Sequence, residues 1–460
     1  MLSTTSWFTA DPGLPMPSKL LTVCEAVTAG ARVALPAALA KGLALLNDYL
    51  GPTARFESDA VALRHRLDRL LRIAVQHTPS GCLLFTTEVR EGPAGRWVAE
   101  TQIAATGLQL TAAHLAAALP EGAPIETEGP APDDPEQMVT TRALCPESGA
   151  FIFVATKPVE GTLVLVHYPV EPAPDDAQRV RDAQGAMAWL VADHPLAFGT
   201  LTQQLHRLGW RTRRFPSVAA AAAALDEIPV TRRPALVVGM QSYGVRRDDL
   251  QQLAQHLPDA DVVLGYELTG LHDPVPSGHR LQAMPLPLSP LDLFALTRRA
   301  LQHASSRAMG GAAAESLPCG TSGPRVLVVD DNPVNRLLAS EMLRTLGYQP
   351  DAVVNGAEAV RRCEESAPSA VLMDVQMPAM DGLAATRRLR ALQAEGELPR
   401  FPILAATAYS SGADEQACLA AGMDAYLTKP LDLTRLLSEL QRVTGGVGGA
   451  ASTTPLAPGA

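Results

Sequence analysis

Five side chains in the last third of the sequence have the types and the spacing to act together: Asp330, Asp331, Asp374, Thr407 and Lys429. Each closely follows a short apolar run, at 326–329, 370–373, 403–406 and 425–427. Three carboxylates brought to one point repel one another and need a cation. All-oxygen ligation suits Mg2+ or Mn2+. A hydroxyl donor and an ammonium beside them make a site for a dianionic phosphoryl group. No Ser, Cys or His stands at the centre, so one aspartate must be the nucleophile, and aspartate does form acyl phosphates.

The surrounding pattern supplies the elements that would position these groups. The run at 326–329 is continuously apolar, as in a parallel strand covered on both faces. Asn332 and Pro333 follow, an N-cap residue with proline at the first helical position. Val334, Leu338, Met342 and Leu346 recur at four-residue spacing on one helical face, and Gly347 ends the helix. With a further run at 352–354, five strands alternating with helices predict an open parallel sheet with helices on both faces. In such sheets the site lies beyond the carboxyl ends of the strands.

The four motifs V-L-V-V-D-D-N-P-V-N-R (326–336), V-L-M-D-V-Q-M-P-A-M-D-G (371–382), A-A-T-A (405–408) and Y-L-T-K-P (426–430) resemble a response-regulator receiver domain. The variant resembles those fused to hybrid histidine kinases, and the match covers 324–443. The resemblance implies that Asp374 is the phosphoacceptor. It implies that Asp331 and Asp374 bind Mg2+ directly, Asp330 through water, and the backbone carbonyl of Gln376 as well. Thr407 and the Ala408 amide would touch the phosphoryl oxygens, and Lys429 would neutralise one of them. Tyr426 matches the aromatic that turns inward when the threonine moves. The bulk of Gln376 and Tyr409 hints at a long-lived phosphoryl group.

Block 186–304 repeats this pattern in eroded form. At a fixed offset, Asp193 falls on Asp331, Pro195 on Pro333 and Gly209 on Gly347, and A-L-V-V-G-M-Q (235–241) falls on 370–376. The block resembles a receiver that has lost its chemistry. Ala192 is expected in place of one acid, Gly239 of the phosphoacceptor, Tyr266 of the threonine and Ser289 of the lysine. The basic cluster Arg207, Arg211, Arg213 and Arg214 could attract a phosphate-bearing ligand such as a second messenger, or form a solvated strand edge.

Block 18–170 carries an amphipathic helix over 64–81, strands after it, and a closing hairpin in S-G-A-F-I-F-V and G-T-L-V-L-V-H-Y-P-V. That order resembles the ATP-binding domain of histidine kinases. Ile73 stands near the family's Mg2+-binding asparagine, Ala105 replaces the aspartate that reads adenine, and the glycine-rich lid is unrecognisable at 130–138. Without that carboxylate, buried polar groups of adenine go unpaired. None of the ten histidines sits in the family's phosphorylation motif; His272 precedes Asp273, but Pro274 follows.

Composition agrees with several folded domains. The 460 residues are 47% hydrophobic and 19% charged, with 38 Lys and Arg against 48 Asp and Glu, a net charge of −10. That balance argues against DNA or RNA binding. The runs 171–178 and 305–324 read as linkers, and 444–460 as a disordered tail. No run reaches the uninterrupted apolar length of a membrane span, no signal peptide is recognisable, and the six cysteines lie far apart. The fold class expected is a multidomain α/β protein: a flavodoxin-like (βα)5 receiver, a second receiver-like (βα)5 unit and an N-terminal α/β sandwich. The expected function is that of a cytoplasmic phosphorelay protein without kinase activity of its own. It would take its phosphoryl group from a histidine kinase or histidine phosphotransfer protein and signal to a protein partner. The alternatives are a divergent but active hybrid kinase, or a nucleotide or second-messenger regulator.

Overall fold

A computed structural model describes residues 22–57, 60–92, 95–106, 125–128, 139–145, 150–157, 161–173, 182–229, 233–268, 281–308, 323–407 and 412–445. Three sheets succeed one another along the chain.

The first sheet is built from α1 (Val23–Ala40), β1 (Ala44–Leu50), β2 (Ala54–Phe56), α2 (Ala60–His77), β3 (Cys82–Glu91), β4 (Trp97–Thr106), β5 (Ile125–Glu128), β6 (Val139–Cys145), β7 (Ala150–Lys157) and β8 (Gly161–Pro172). Its order is β1-β3-β4-β8-β7-β6-β5, with β2 on β8. Only β1 and β3 run parallel; the expected hairpin is β7–β8, with Phe151 opposite His167. Helix α1 opens with a capping box in which Thr22 and Glu25 satisfy each other's backbone donors. By length and composition this helix could cross a membrane, yet half of it is buried in the fold, with Val23, Val27 and Ala31 against α2 and the sheet. The amphipathic helix starts earlier and stops sooner than expected, at 60–77. Strand β8 takes in Glu171 and Pro172, read from composition as linker, because they pair with Arg55 and Ala54.

The second sheet comprises β9 (Met187–Val191), α3 (Gly199–Arg207), β10 (Arg211–Phe215), α4 (Val218–Glu227), β11 (Leu236–Met240), α5 (Arg247–Gln255), β12 (Asp261–Tyr266), β13 (Leu281–Pro285) and α6 (Pro290–Ala308). The third comprises β14 (Arg325–Val329), α7 (Pro333–Thr345), β15 (Gln349–Val353), α8 (Gly356–Glu365), β16 (Ala370–Asp374), α9 (Gly382–Ala394), β17 (Ile403–Thr407), α10 (Gly412–Ala421), β18 (Ala425–Thr428) and α11 (Leu433–Thr444). Both sheets are wholly parallel and share one topology, β10-β9-β11-β12-β13 and β15-β14-β16-β17-β18. Strand β15 begins three residues before the apolar run that announces it. Its Gln349, Pro350 and Asp351 sit on the sheet edge, where a proline is tolerated.

The expected start of α7 holds in detail: the Asn332 side chain accepts from the Val334 amide, and Pro333 occupies the first turn. Val334, Leu338 and Met342 are buried, and Gly347 adopts φ +88° just past the helix end. Helix α6 runs through Ala308 into the expected linker, and Gly445 closes α11 in the left-handed region. Residues 309–322 and 446–460 lie outside the described set.

Candidate functional site

Parallel register brings the carboxyl ends of β14, β16, β17 and β18 to one level. Asp330, Asp331, Asp374, Thr407 and Lys429 therefore share one end of the third sheet. One carboxylate oxygen from each of Asp330, Asp331 and Asp374 lies within 4.8 Å of the other two. Lys429 Nζ donates to Asp374 Oδ2 at 2.6 Å and reaches Asp330 Oδ2 at 2.7 Å. Asp330, Asp374 and Thr407 are buried; Asp331 is the half-exposed member.

Local structure holds these groups in place. The Asp330 carboxylate accepts from the Asn332 amide at 2.9 Å and from Asn335 Nδ2 at 3.4 Å. Arg336, one turn into α7, folds back and donates to the carbonyls of Asp330 (2.7 Å) and Asp331 (2.8 Å). The Gln376 amide donates to Asp374 Oδ1 at 3.3 Å, so the chain turns over the carboxylate immediately after β16. Gly382 opens α9 against that same turn. A Cβ there would stand 2.0 Å from the Asp374 carbonyl oxygen, so only glycine permits the approach. The Asp381 side chain caps α9 through the Ala384 amide.

Burial dominates the electrostatics. It pushes the Asp374 carboxyl up to about 7, with the Asp330 charge adding to the rise and Lys429 opposing it. Asp330 is raised as well, again chiefly by burial against the pull of Lys429. Burial lowers the Lys429 ammonium, but the two facing carboxylates more than offset this and hold it above its ordinary value. Two buried acids share one ammonium, and with the Asp331 carboxylate close beside them the site is short of positive charge. A small divalent cation among these oxygens fits that deficit and the donor set.

Tyr426 sits half-buried on β18, with its hydroxyl raised by burial and by Asp414, Cys418 and Glu415 of α10. Ala408 and Tyr409 lie outside the described residues. Sequence reasoning assigned no role to Asn335 or Arg336. The available signal was their place in V-D-D-N-P-V-N-R, one helical turn beyond the acid pair.

The second sheet corrects two expectations. In the third sheet Val329 pairs with Met373, leaving Asp374 one step beyond. In the second, Val191 pairs with Gly239, leaving Met240 one step beyond. Met240, not Gly239, therefore occupies the place of Asp374. A Cβ on Gly239 would run into Val245 and Leu250. Likewise Thr407 pairs with Thr428 and Tyr266 with Pro285, so Leu286 rather than Ser289 follows in the lysine's place. Ser289 instead caps α6 with Asp292, as Asp432 caps α11. The motif-matched alignment slipped because short strands with similar apolar runs can be laid over each other at several offsets. Tyr266 and Ala192 keep their expected places.

Of the basic cluster, Arg211, Arg213 and Arg214 lie on edge strand β10. Arg214 donates to Thr202 of α3, and Arg213 lies over the Phe215 ring at 4.9 Å. Arg207 pairs instead with Asp48 of the first sheet at 2.5 Å. In the first sheet, Ala105 is fully buried on β4 between Leu83 and Thr162, and Ile73 is partly buried against the core. Residues 130–138, His114 and His272 lie outside the described residues.

Fold and site together define the third unit. Residues 326–441 match the response regulator receiver domain, and they are one. Over longer stretches the chain is homologous to hybrid sensor histidine kinases. It is 30% identical to Sensor histidine kinase GacS of Pseudomonas protegens over 324 residues, 67% of this chain and 34% of that one. It is 28% identical to Sensor protein GacS of Pseudomonas syringae pv. syringae over 434 residues, 89% of this chain and 46% of that one. The chain thus spans between a third and a half of the length of these relatives. Among solved structures, the receiver domain of sensor histidine kinase PA1611 from Pseudomonas aeruginosa PAO1, with magnesium coordinated in its active-site cleft, is 43% identical. It covers 27% of this chain and 98% of its own, with a TM-score of 0.25.

Proposed function

We propose that this chain accepts a phosphoryl group on Asp374 and relays a signal by protein–protein docking. The observation that carries the reading is the convergence of three carboxylates, with Lys429 bridging two of them, at the end of a parallel sheet. Asp331, Asp374 and the Gln376 carbonyl would hold Mg2+ or Mn2+ directly, and Asp330 through water. The cation would neutralise charge on the phosphoryl donor and its acceptor. Asp374 supplies the attacking oxygen, and the phosphoryl group breaks from its donor as the acyl phosphate forms. Lys429 balances one phosphoryl oxygen, and Thr407 and the Ala408 amide hold others. Tyr426, beside α10, would register movement of Thr407.

The donor is a histidine kinase or histidine phosphotransfer protein, and the work belongs in the cytoplasm. The second sheet presents Ala192, Met240 and Leu286 where the receiver has two acids and its lysine, so it serves docking rather than chemistry. The first sheet serves as scaffold: a buried Ala105 offers no carboxylate to an adenine. Exposing the protein to acetyl phosphate and Mg2+, then weighing it intact, tests the proposal. Wild type should gain one phosphoryl group and Asp374→Asn none; equal labelling of both would refute the assignment.

The names of the homologous kinases favour a second reading, that the first sheet belongs to a divergent active kinase. Incubation of the protein alone with labelled ATP and Mg2+ separates the two. No incorporation supports the scaffold, and incorporation supports the kinase.

A further inference from the structure

Strands β1, β3 and β4 are apolar on both faces. Leu83, Phe85, Ile103 and Ala105 face α1 and α2, whereas Leu46, Cys82, Leu84 and Ala104 join one continuous core with Leu338, Met342 and Leu343 of α7. The far face of the first sheet is thus covered by the receiver's first helix, which touches β3, β4 and β8. The end of α7 also meets the second sheet. A Cβ on Gly199, at the start of α3, would collide with the Thr345 methyl at 1.9 Å. Beside that contact, Asp48 of β1 accepts from Arg207 at 2.5 Å and from Gln204 at 3.1 Å, both on α3. Glu341 of α7 pairs with Arg344 and feels the charges of Asp48 and Arg207.

Helix α7 therefore has two ends with different partners. Its first turn carries Arg336, whose guanidinium grips the carbonyls of Asp330 and Asp331. Its later turns are clamped between the first sheet and α3. We propose that α7 links the acidic site to the docking of the three sheets, with Arg336 as the positioning residue that carries the link. The inference rests on the reading of the site as a cation and phosphoryl site. While the clamp holds, the acid loop keeps the setting in which Lys429 bridges Asp330 and Asp374. A cation entering between these carboxylates must rearrange that loop, and a helix fixed along its length resists the rearrangement. Loosening the clamp lowers that resistance, so undocking and cation binding favour each other reciprocally.

The test is Mg2+ titration calorimetry on the full chain. Arg207→Ala removes the Asp48 pair, and Gly199→Ala drives α3 from Thr345 by an independent route. Both lie outside the site. Each should tighten Mg2+ binding threefold or more, and the gain should vanish when Arg336→Ala is added. Unchanged or weaker Mg2+ binding in both clamp variants overturns the linkage. A gain that persists undiminished with Arg336→Ala overturns the role of Arg336. Asp374→Asn separates this from failure of the site itself: if that variant binds Mg2+ as well as wild type, the cation is elsewhere and the site reading falls with the inference.

Discussion

Raising pH from 6 to 8 should strengthen Mg2+ binding to the receiver about tenfold. The reasoning begins with the Asp374 carboxyl, which burial and the Asp330 charge push to about 7 in the metal-free site. Mg2+ takes the ionised carboxylate, so it must displace whatever proton is there. With a midpoint near 7, roughly 90% of the sites carry that proton at pH 6, about half at pH 7 and about 10% at pH 8. The apparent affinity is divided by about 11 at pH 6 and by about 1.1 at pH 8, a tenfold span worth about 1.4 kcal/mol. Asp330 is raised in the same direction, so its proton can only steepen the dependence. The stability of the metal-free fold has the opposite slope. A carboxyl that holds its proton more tightly folded than unfolded supports the fold below about pH 4, and that support is lost as pH climbs through 7. Mg2+ should therefore stabilise the fold more at pH 8 than at pH 6. Calorimetry in two buffers of different ionisation enthalpy reads affinity and proton release together. One dissociation constant at pH 6 and 8, with enthalpies independent of buffer, would refute the argument.

Three more outcomes follow from named contacts. Lys429→Met should destabilise the metal-free receiver by about 3 kcal/mol at neutral pH, because two buried carboxylates lose their counter-charge; the loss should shrink at pH 5, and chemical denaturation at both values checks it. Gly382→Ala should cost about 2 kcal/mol of stability through overpacking against the Asp374 carbonyl, and slow phosphorylation by acetyl phosphate, which intact mass follows over time. In the second sheet, Gly239→Asp should reduce soluble yield sharply because its side chain enters the apolar space of Val245 and Leu250. An unchanged soluble yield from that variant would contradict the register.

Much of the receiver was legible from residues alone because its signals are local. A five-strand apolar rhythm, Asn332-Pro333 at a helix start and Gly347 at its end each act within a few residues. Parallel pairing then carries groups at strand ends to one level, so the five residues that share that end of the sheet could be named in advance. The eroded block was read less well. With Gly239 and Ser289 there was no chemistry to anchor the alignment, and only the ladder, pairing Val191 with Gly239 and Tyr266 with Pro285, decides which side chain reaches the end of each strand. The edge strand β15 started earlier than its apolar signal because an edge needs less burial.

The sequence by itself determined the receiver's elements and which residues stand at its strand ends, since strand and helix periods and end signals are properties of short segments. Tertiary structure alone decided what lies over the first sheet. The run Cys82-Leu-Leu-Phe is apolar on both faces and so needs two partners, yet nothing local says that one of them is α7, more than 240 residues later. The pairing of Asp48 with Arg207 likewise joins atoms 159 residues apart along the chain. Such contacts depend on how whole surfaces complement each other, which no short stretch of sequence contains.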